Sequence, residues 1–190
     1  MKRITILLLV AFLCSVGFAQ ETEGNNQEYS YKTFTGGFWS CTTHTGGGYG
    51  EFGFRLIPED KGFVLRNSIL IGGEGGYISN STDSSFGGLF LGDKISIGSC
   101  LKTGNSVIRS YGFLTCKAEM FGAKNHSFLN PNLMYGINAG GGFEFQFTRR
   151  SAFAVEFGGT VSFVAGPDYK QYSQFTKGTP TLTIGYRSLY

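Results

Sequence analysis

Hydrophobic positions in this chain recur at every second residue over most of its length, and no long stretch beyond the N-terminus keeps the 3.6-residue spacing of an amphipathic helix. The alternation is clearest in 152–164. There Phe153, Val155, Phe157, Val161 and Phe163 share one parity, and Ala154, Glu156, Gly158, Thr160 and Ser162 the other. Successive side chains of an extended chain point to opposite faces, so the segment reads as a strand with one aromatic face and one small or polar face. The run before it repeats the pattern: Leu133, Tyr135, Ile137, Ala139, Phe143, Phe145 and Phe147 alternate with Met134, Gly136, Asn138, Gly140, Glu144 and Gln146. Only Thr148-Arg149-Arg150-Ser151 separates the two runs, which suits a tight hairpin.

The same rule places strands at 33–42, 46–57, 62–75, 85–101, 106–121, 133–147, 152–164 and 179–190, eight in all. Links near Pro58-Glu59-Asp60-Lys61, at Thr103-Gly104-Asn105 and at 148–151 are short, whereas those at 76–84, 122–132 and 165–178 are longer; the link near His44 is a short one at the long-loop end. Short turns at one end and longer loops at the other describe an all-β, eight-stranded antiparallel up-and-down transmembrane β-barrel. The second, fourth and fifth strands fit this pattern less cleanly, and the first is ambiguous. Asp93 shares its parity with Leu89, Leu91, Ile95 and Ile97, so it faces lipid unless a β-bulge shifts the register. In the first strand, Phe34 and Phe38 compete with Trp39 for the outward face.

The polar parity gathers charges of both signs: Glu51, Arg55, Arg66, Glu74, Lys94, Arg109, Lys117, Glu119, Glu144, Glu156 and Arg187. A barrel of this size is just wide enough for its own side chains to fill. Unpaired buried charges are very costly, so the expected interior is a paired, hydrogen-bonded network and not an open pore.

Composition strengthens the membrane reading. The chain carries 30 Gly, 19 Phe and 10 Tyr with only 15% charged residues, where about 25% is usual in soluble domains. So many aromatics on one face need apolar surroundings. The N-terminus has the plan of an export signal: Lys2 and Arg3, an apolar run from Ile4 to Leu13, and a small-x-small cleavage site at Gly17-Phe18-Ala19. The run is too short for a spanning helix, which needs about twenty residues. Residues 1–19 are therefore expected to be a cleaved signal peptide, with a single barrel domain over 20–190. Leu13 before Cys14 is too large for a lipid-attachment site. Of sixteen lysines and arginines only Lys2 and Arg3 fall in the signal, leaving fourteen against thirteen acidic residues. A nearly neutral chain lacks the basic excess of a nucleic-acid binder.

The final strand, Thr179-Pro180-Thr181-Leu182-Thr183-Ile184-Gly185-Tyr186-Arg187-Ser188-Leu189-Tyr190, points Leu182, Ile184, Tyr186 and Tyr190 one way and stops on an aromatic. This resembles the C-terminal signal by which outer-membrane barrels are recognised by their assembly machinery, although Ser188 stands where that family usually has an apolar or aromatic residue. With the export signal and the strand count, the chain resembles the small eight-stranded outer-membrane barrels typified by outer-membrane proteins A and X. The resemblance implies residence in the bacterial outer membrane, contact with lipid and lipopolysaccharide, and delivery by the barrel-assembly machinery.

Other patterns carry less. Gly48-Tyr49-Gly50-Glu51-Phe52-Gly53 spells a dinucleotide fingerprint, but its flanks read as strands, and the motif has meaning only between a strand and a helix. His44 and His126 lie near Ser40 and Ser127, which raises a lipid A deacylase or acyltransferase as an alternative. Members of the deacylase family place His-x-Ser on one strand, whereas His126-Ser127 are adjacent and would point apart. Cys41, Cys100 and Cys116 form no disulfide framework; Cys100 would lie opposite a position near 108, with Cys116 on the other face. Asn80-Ser81-Thr82 and Asn125-His126-Ser127 match glycosylation acceptors, which matter only in a eukaryotic secretory pathway. Tyr169, Tyr172 and Phe175 in the longest loop fit the headgroup level or a contact surface. A soluble, lipocalin-like barrel is a further alternative, and it requires the aromatics inside and the charges outside. The favoured expectation is a non-enzymatic barrel with a structural or surface-interaction role, needing no cofactor or metal.

Overall fold

Strands form where the two-residue alternation predicts them. A computed structural model describes residues 32–56, 62–77, 85–103, 106–123, 132–165 and 178–190. Its strands are β1 (Thr33–Thr42), β2 (Thr45–Arg55), β3 (Phe63–Tyr77), β4 (Ser85–Thr103), β5 (Ser106–Ala123), β6 (Asn132–Thr148), β7 (Ser151–Ala165) and β8 (Thr179–Leu189). The proposed signal segment 1–19, together with His126, Ser127, Tyr169, Tyr172, Phe175 and both glycosylation-like motifs, lies outside the described residues.

Each strand pairs antiparallel with the next, and β8 returns to β1 to close the barrel. Closure leaves no sheet edge, which is what lets a sheet exist in hydrocarbon, where an unsatisfied backbone group has no water to bond. Phe34 pairs with Leu189, and the Leu189 amide donates to the Arg150 carbonyl at 2.9 Å, so the β1 start, the β8 end and the β6–β7 hairpin share one rim. The β2–β3 and β4–β5 links belong to that rim as well. The opposite rim carries the tight β1–β2 turn and the three longer links. Gly62 enters β3 with φ of +69°, a left-handed conformation that glycine adopts without strain.

The two ambiguous places resolve. Trp39 is 57% exposed on the outer face, while Phe34 and Phe38 are buried inside. Pairing through β4 is continuous, with no bulge to turn Asp93 inward; among the described residues the register shifts at Gln146/Thr148 in β6 instead. Asp93 therefore does face outward, between Leu91 and Ile95, and Asn67 Nδ2 donates to its Oδ1 at 3.0 Å. The hydrogen bond offsets part of the cost of a carboxyl on that face. Cys100 lies opposite Arg109 and faces inward, Cys116 faces outward, and neither forms a disulfide.

The exterior is a belt of exposed large apolar side chains, among them Ile71, Leu89, Leu91, Ile97, Phe143, Phe157 and Phe163. Such a surface is stable against hydrocarbon and unstable against water. Glycines allow the inner face to crowd. A Cβ on Gly98 would fall 2.0 Å from the Ser110 carbonyl oxygen, whereas one on Gly37 would meet nothing within 4 Å. Gly98→Ala is thus expected to destabilise the barrel by about 1–3 kcal/mol and Gly37→Ala by less than about 0.5 kcal/mol. Urea unfolding in phospholipid vesicles, followed by Trp39 fluorescence, measures both.

Candidate functional site

Alternation sends all eleven charged side chains singled out in the sequence to the inner face. The geometry sorts ten of them into a large network and a small one. Glu144 on β6 is the centre of the large network. Its Oε2 accepts from Arg66 Nη1 on β3 at 2.7 Å and from Arg187 Nη1 on β8 at 2.6 Å, and its Oε1 accepts from Arg109 Nη1 on β5 at 2.8 Å. Arg187 reaches on to Glu51 on β2 at 2.8 Å and to Glu156 on β7 at 3.2 Å. Lys94 on β4 closes the circuit, 2.5 Å from Glu156 and 3.5 Å from Glu51. Every strand except β1 contributes a charge. These groups are at most 3% exposed, so they depend on one another for solvation.

β1 contributes rings instead. Phe34 and Phe38 lie 5.4 and 4.8 Å from the Arg187 guanidinium carbon, and Phe38 lies 5.5 Å from Lys94 Nζ. Cation–π contacts of this kind stabilise cations already removed from water. Arg55 faces inward opposite Arg66 in the β2–β3 pairing. The smaller network lies toward the long-loop rim, where Lys117 Nζ sits 2.6 Å from Glu74 and 3.6 Å from Glu119.

Reading charges alone missed the neutral members. Tyr111 donates to Glu156 at 2.8 Å and accepts from Arg187 Nη1 at 3.1 Å; Ser68 donates to Glu51 at 2.8 Å; Gln146 accepts from Arg109 Nη2 at 2.6 Å. Each shares the parity of the charged residues two positions away, and that was the available signal. Apolar groups also pack inside the lumen toward its two ends: Phe34, Ala152 and Leu189 near the rim carrying the chain ends, and Phe86, Phe121, Met134 and Val164 near the other.

The remaining candidates disperse. The glycine motif at 48–53 lies wholly within β2, paired with β1 on one side and β3 on the other. His44 occupies the β1–β2 turn, where its amide donates to Thr42 Oγ1 at 3.1 Å, while Ser40 Oγ accepts from Thr183 at 3.0 Å. Among the described residues no three metal-ligating side chains are grouped. Leu182, Ile184, Tyr186 and Tyr190 all face outward, at 40, 43, 45 and 64% exposure.

No family model and no curated protein sequence matches the chain. Solved structures do. A major outer membrane protein from Thermus thermophilus superposes with a TM-score of 0.53 at 9% identity, covering 84% of this chain and 99% of that one. The N-terminal β-barrel domain of Pseudomonas aeruginosa OprF aligns at 12% identity and a TM-score of 0.48, covering 85% of this chain and 99% of the domain. Ail, the attachment invasion locus protein of Yersinia pestis, aligns at 9% identity and a TM-score of 0.42, covering 86% of this chain and 100% of that one. At such identities the likeness is one of fold, and the fold is that of a bacterial outer-membrane β-barrel.

Proposed function

We propose, with the fold of an outer-membrane barrel as the premise, that this chain is an integral protein of the bacterial outer membrane with a structural or surface-interaction role and a closed interior. The observation that carries the closed interior is the Glu144 network, which joins side chains from seven strands across the lumen through direct ion pairs. In this reading residues 1–19 are removed on export, 20–190 form the domain, and the rim with the long links faces outward. Lipid and lipopolysaccharide surround the aromatic belt. The outward row Leu182, Ile184, Tyr186 and Tyr190 is what the assembly machinery recognises.

Planar-bilayer recording tests the closed interior. The purified barrel is expected to insert without steady conductance, and a stable open level of nanosiemens size would contradict the proposal. The lipocalin alternative loses its basis, because large apolar side chains cover the outside and the charges lie inside. The lipid A-modifying alternative turns on His126 and Ser127; expression in a host with defined lipid A is expected to leave acylation unchanged, and altered acylation would favour the enzyme.

A further inference from the structure

The charge network does not fill the whole lumen. Between it and the long-loop rim lies a cavity of about 70 Å³, with Tyr49 and Glu156 toward the network and Thr42 and His44 toward the rim. A buried water needs roughly 10–15 Å³ of such space, so the cavity has room for about five. That is comparable to the hydroxyl-bearing edge of one sugar ring.

Half of the residues in its wall carry a hydroxyl. Ser40 on β1, Thr115 on β5, Thr160 and Ser162 on β7, and Thr181 and Thr183 on β8 all border it. Two pairs among them bond each other, Thr160 with Thr181 at 2.9 Å and Thr183 with Ser40 at 3.0 Å. A hydroxyl has one donor and two acceptor positions, so each paired group keeps capacity for a visitor. Asn138, also in the wall, has an Oδ1 that is buried and accepts no hydrogen bond among the described residues. Such an acceptor calls for a donor from water or ligand. Phe90 and Phe113 supply flat apolar surface beside the hydroxyls.

The chemistry of the wall selects against ions. Among the described residues its one cation, Lys117, is held by Glu74 at 2.6 Å, and Glu156 is committed to Lys94, Arg187 and Tyr111. An anion would find no free cation among the described residues of the wall, and an ammonium group would compete with Lys117 for Glu74. A neutral group rich in hydroxyls can satisfy Asn138, pair with serine and threonine, and lay its C–H face on an aromatic ring.

We propose that the outer half of the lumen is a binding cup for a neutral polyhydroxylated ligand, the exposed end of a saccharide or a small free polyol, entering from the long-loop rim. The proposal rests on the outer-membrane reading only for the side of the membrane from which the ligand comes. Its test uses the full barrel folded in a phosphocholine detergent and is independent of location. Threonine methyl NMR resonances are followed while methyl α-D-glucopyranoside, glycerol, tetramethylammonium or inorganic phosphate is added. Saturable shifts at Thr115, Thr160, Thr181 and Thr183 with the glucoside identify a saccharide end, and with glycerol alone a small polyol. Asn138→Leu and the near-isosteric Thr183→Val are each expected to weaken binding about five- to tenfold, one neutral hydrogen bond's worth. Both variants are first checked for folding by their unheated gel migration. Unsaturable shifts with both polyols, saturation with the charged probes alone, or undiminished binding in the folded variants would overturn the cup.

Discussion

Removing β8 together with the terminal Tyr190 is expected to abolish folding in vesicles altogether, with no fast-migrating band on an unheated gel. β8 pairs with β7 on one side and β1 on the other, so its loss opens two edges whose backbone groups have no partner in lipid. It also takes Arg187 from Glu51, Glu144 and Glu156 at once. Several unsatisfied groups at a few kcal/mol each exceed the roughly 5–15 kcal/mol that stabilises a typical domain. Deleting Tyr190 alone is milder. The residue's amide donates to the Thr33 carbonyl at 2.9 Å and its carbonyl accepts from the Lys32 amide at 2.7 Å, so slower assembly and a partly retained fast band are expected. A fast band of full intensity without β8 would show that the barrel closes in some other way.

The second large effect falls on Glu144. Glu144→Gln preserves shape but leaves the guanidiniums of Arg66, Arg109 and Arg187 around a neutral amide, in a site where all four residues are at most 1% exposed. Removing one partner from a buried ion pair costs about 3–5 kcal/mol, because the other charge stays desolvated. Trp39, the single tryptophan, reports the loss in urea unfolding as its emission moves from a lipid to an aqueous setting. Adding Arg66→Leu to Glu144→Gln removes one of the stranded cations. The double variant is expected to recover at least about 1 kcal/mol relative to the sum of the two single effects. Additive losses would mean that the two residues do not share one network.

The strands and their faces were legible in the sequence because lipid imposes the pattern on every strand. Phe153 through Phe163 must present hydrocarbon outward, and Glu144 and Glu156 can then point only inward. The boundaries follow to within two residues, and for β1 at Thr33–Thr42 they coincide. Trp39 was harder because β1 lines the lumen with Phe34 and Phe38 and so carries aromatics on both faces. Asp93 looked like an error of register and is a lipid-side carboxyl whose partner, Asn67, is on the adjacent strand. Local parity cannot show such a partner, since it depends on the pairing of Asn67 with Ile95. The same holds for the interior. Sequence placed the charges inside, but the convergence of three arginines on Glu144 comes from strand stagger around the closed barrel. The threonine-lined cavity was not legible at all, because a hydroxyl face reads the same whether its groups pack together or leave space.

The measurement that bears most directly on the central claim is gel migration, unheated and boiled, of the full-length protein recovered from the outer-membrane fraction of an expressing bacterium. A closed barrel seated in lipid predicts recovery in that fraction and faster migration when unheated. Recovery in the soluble periplasmic fraction, with migration indifferent to heating, would contradict it.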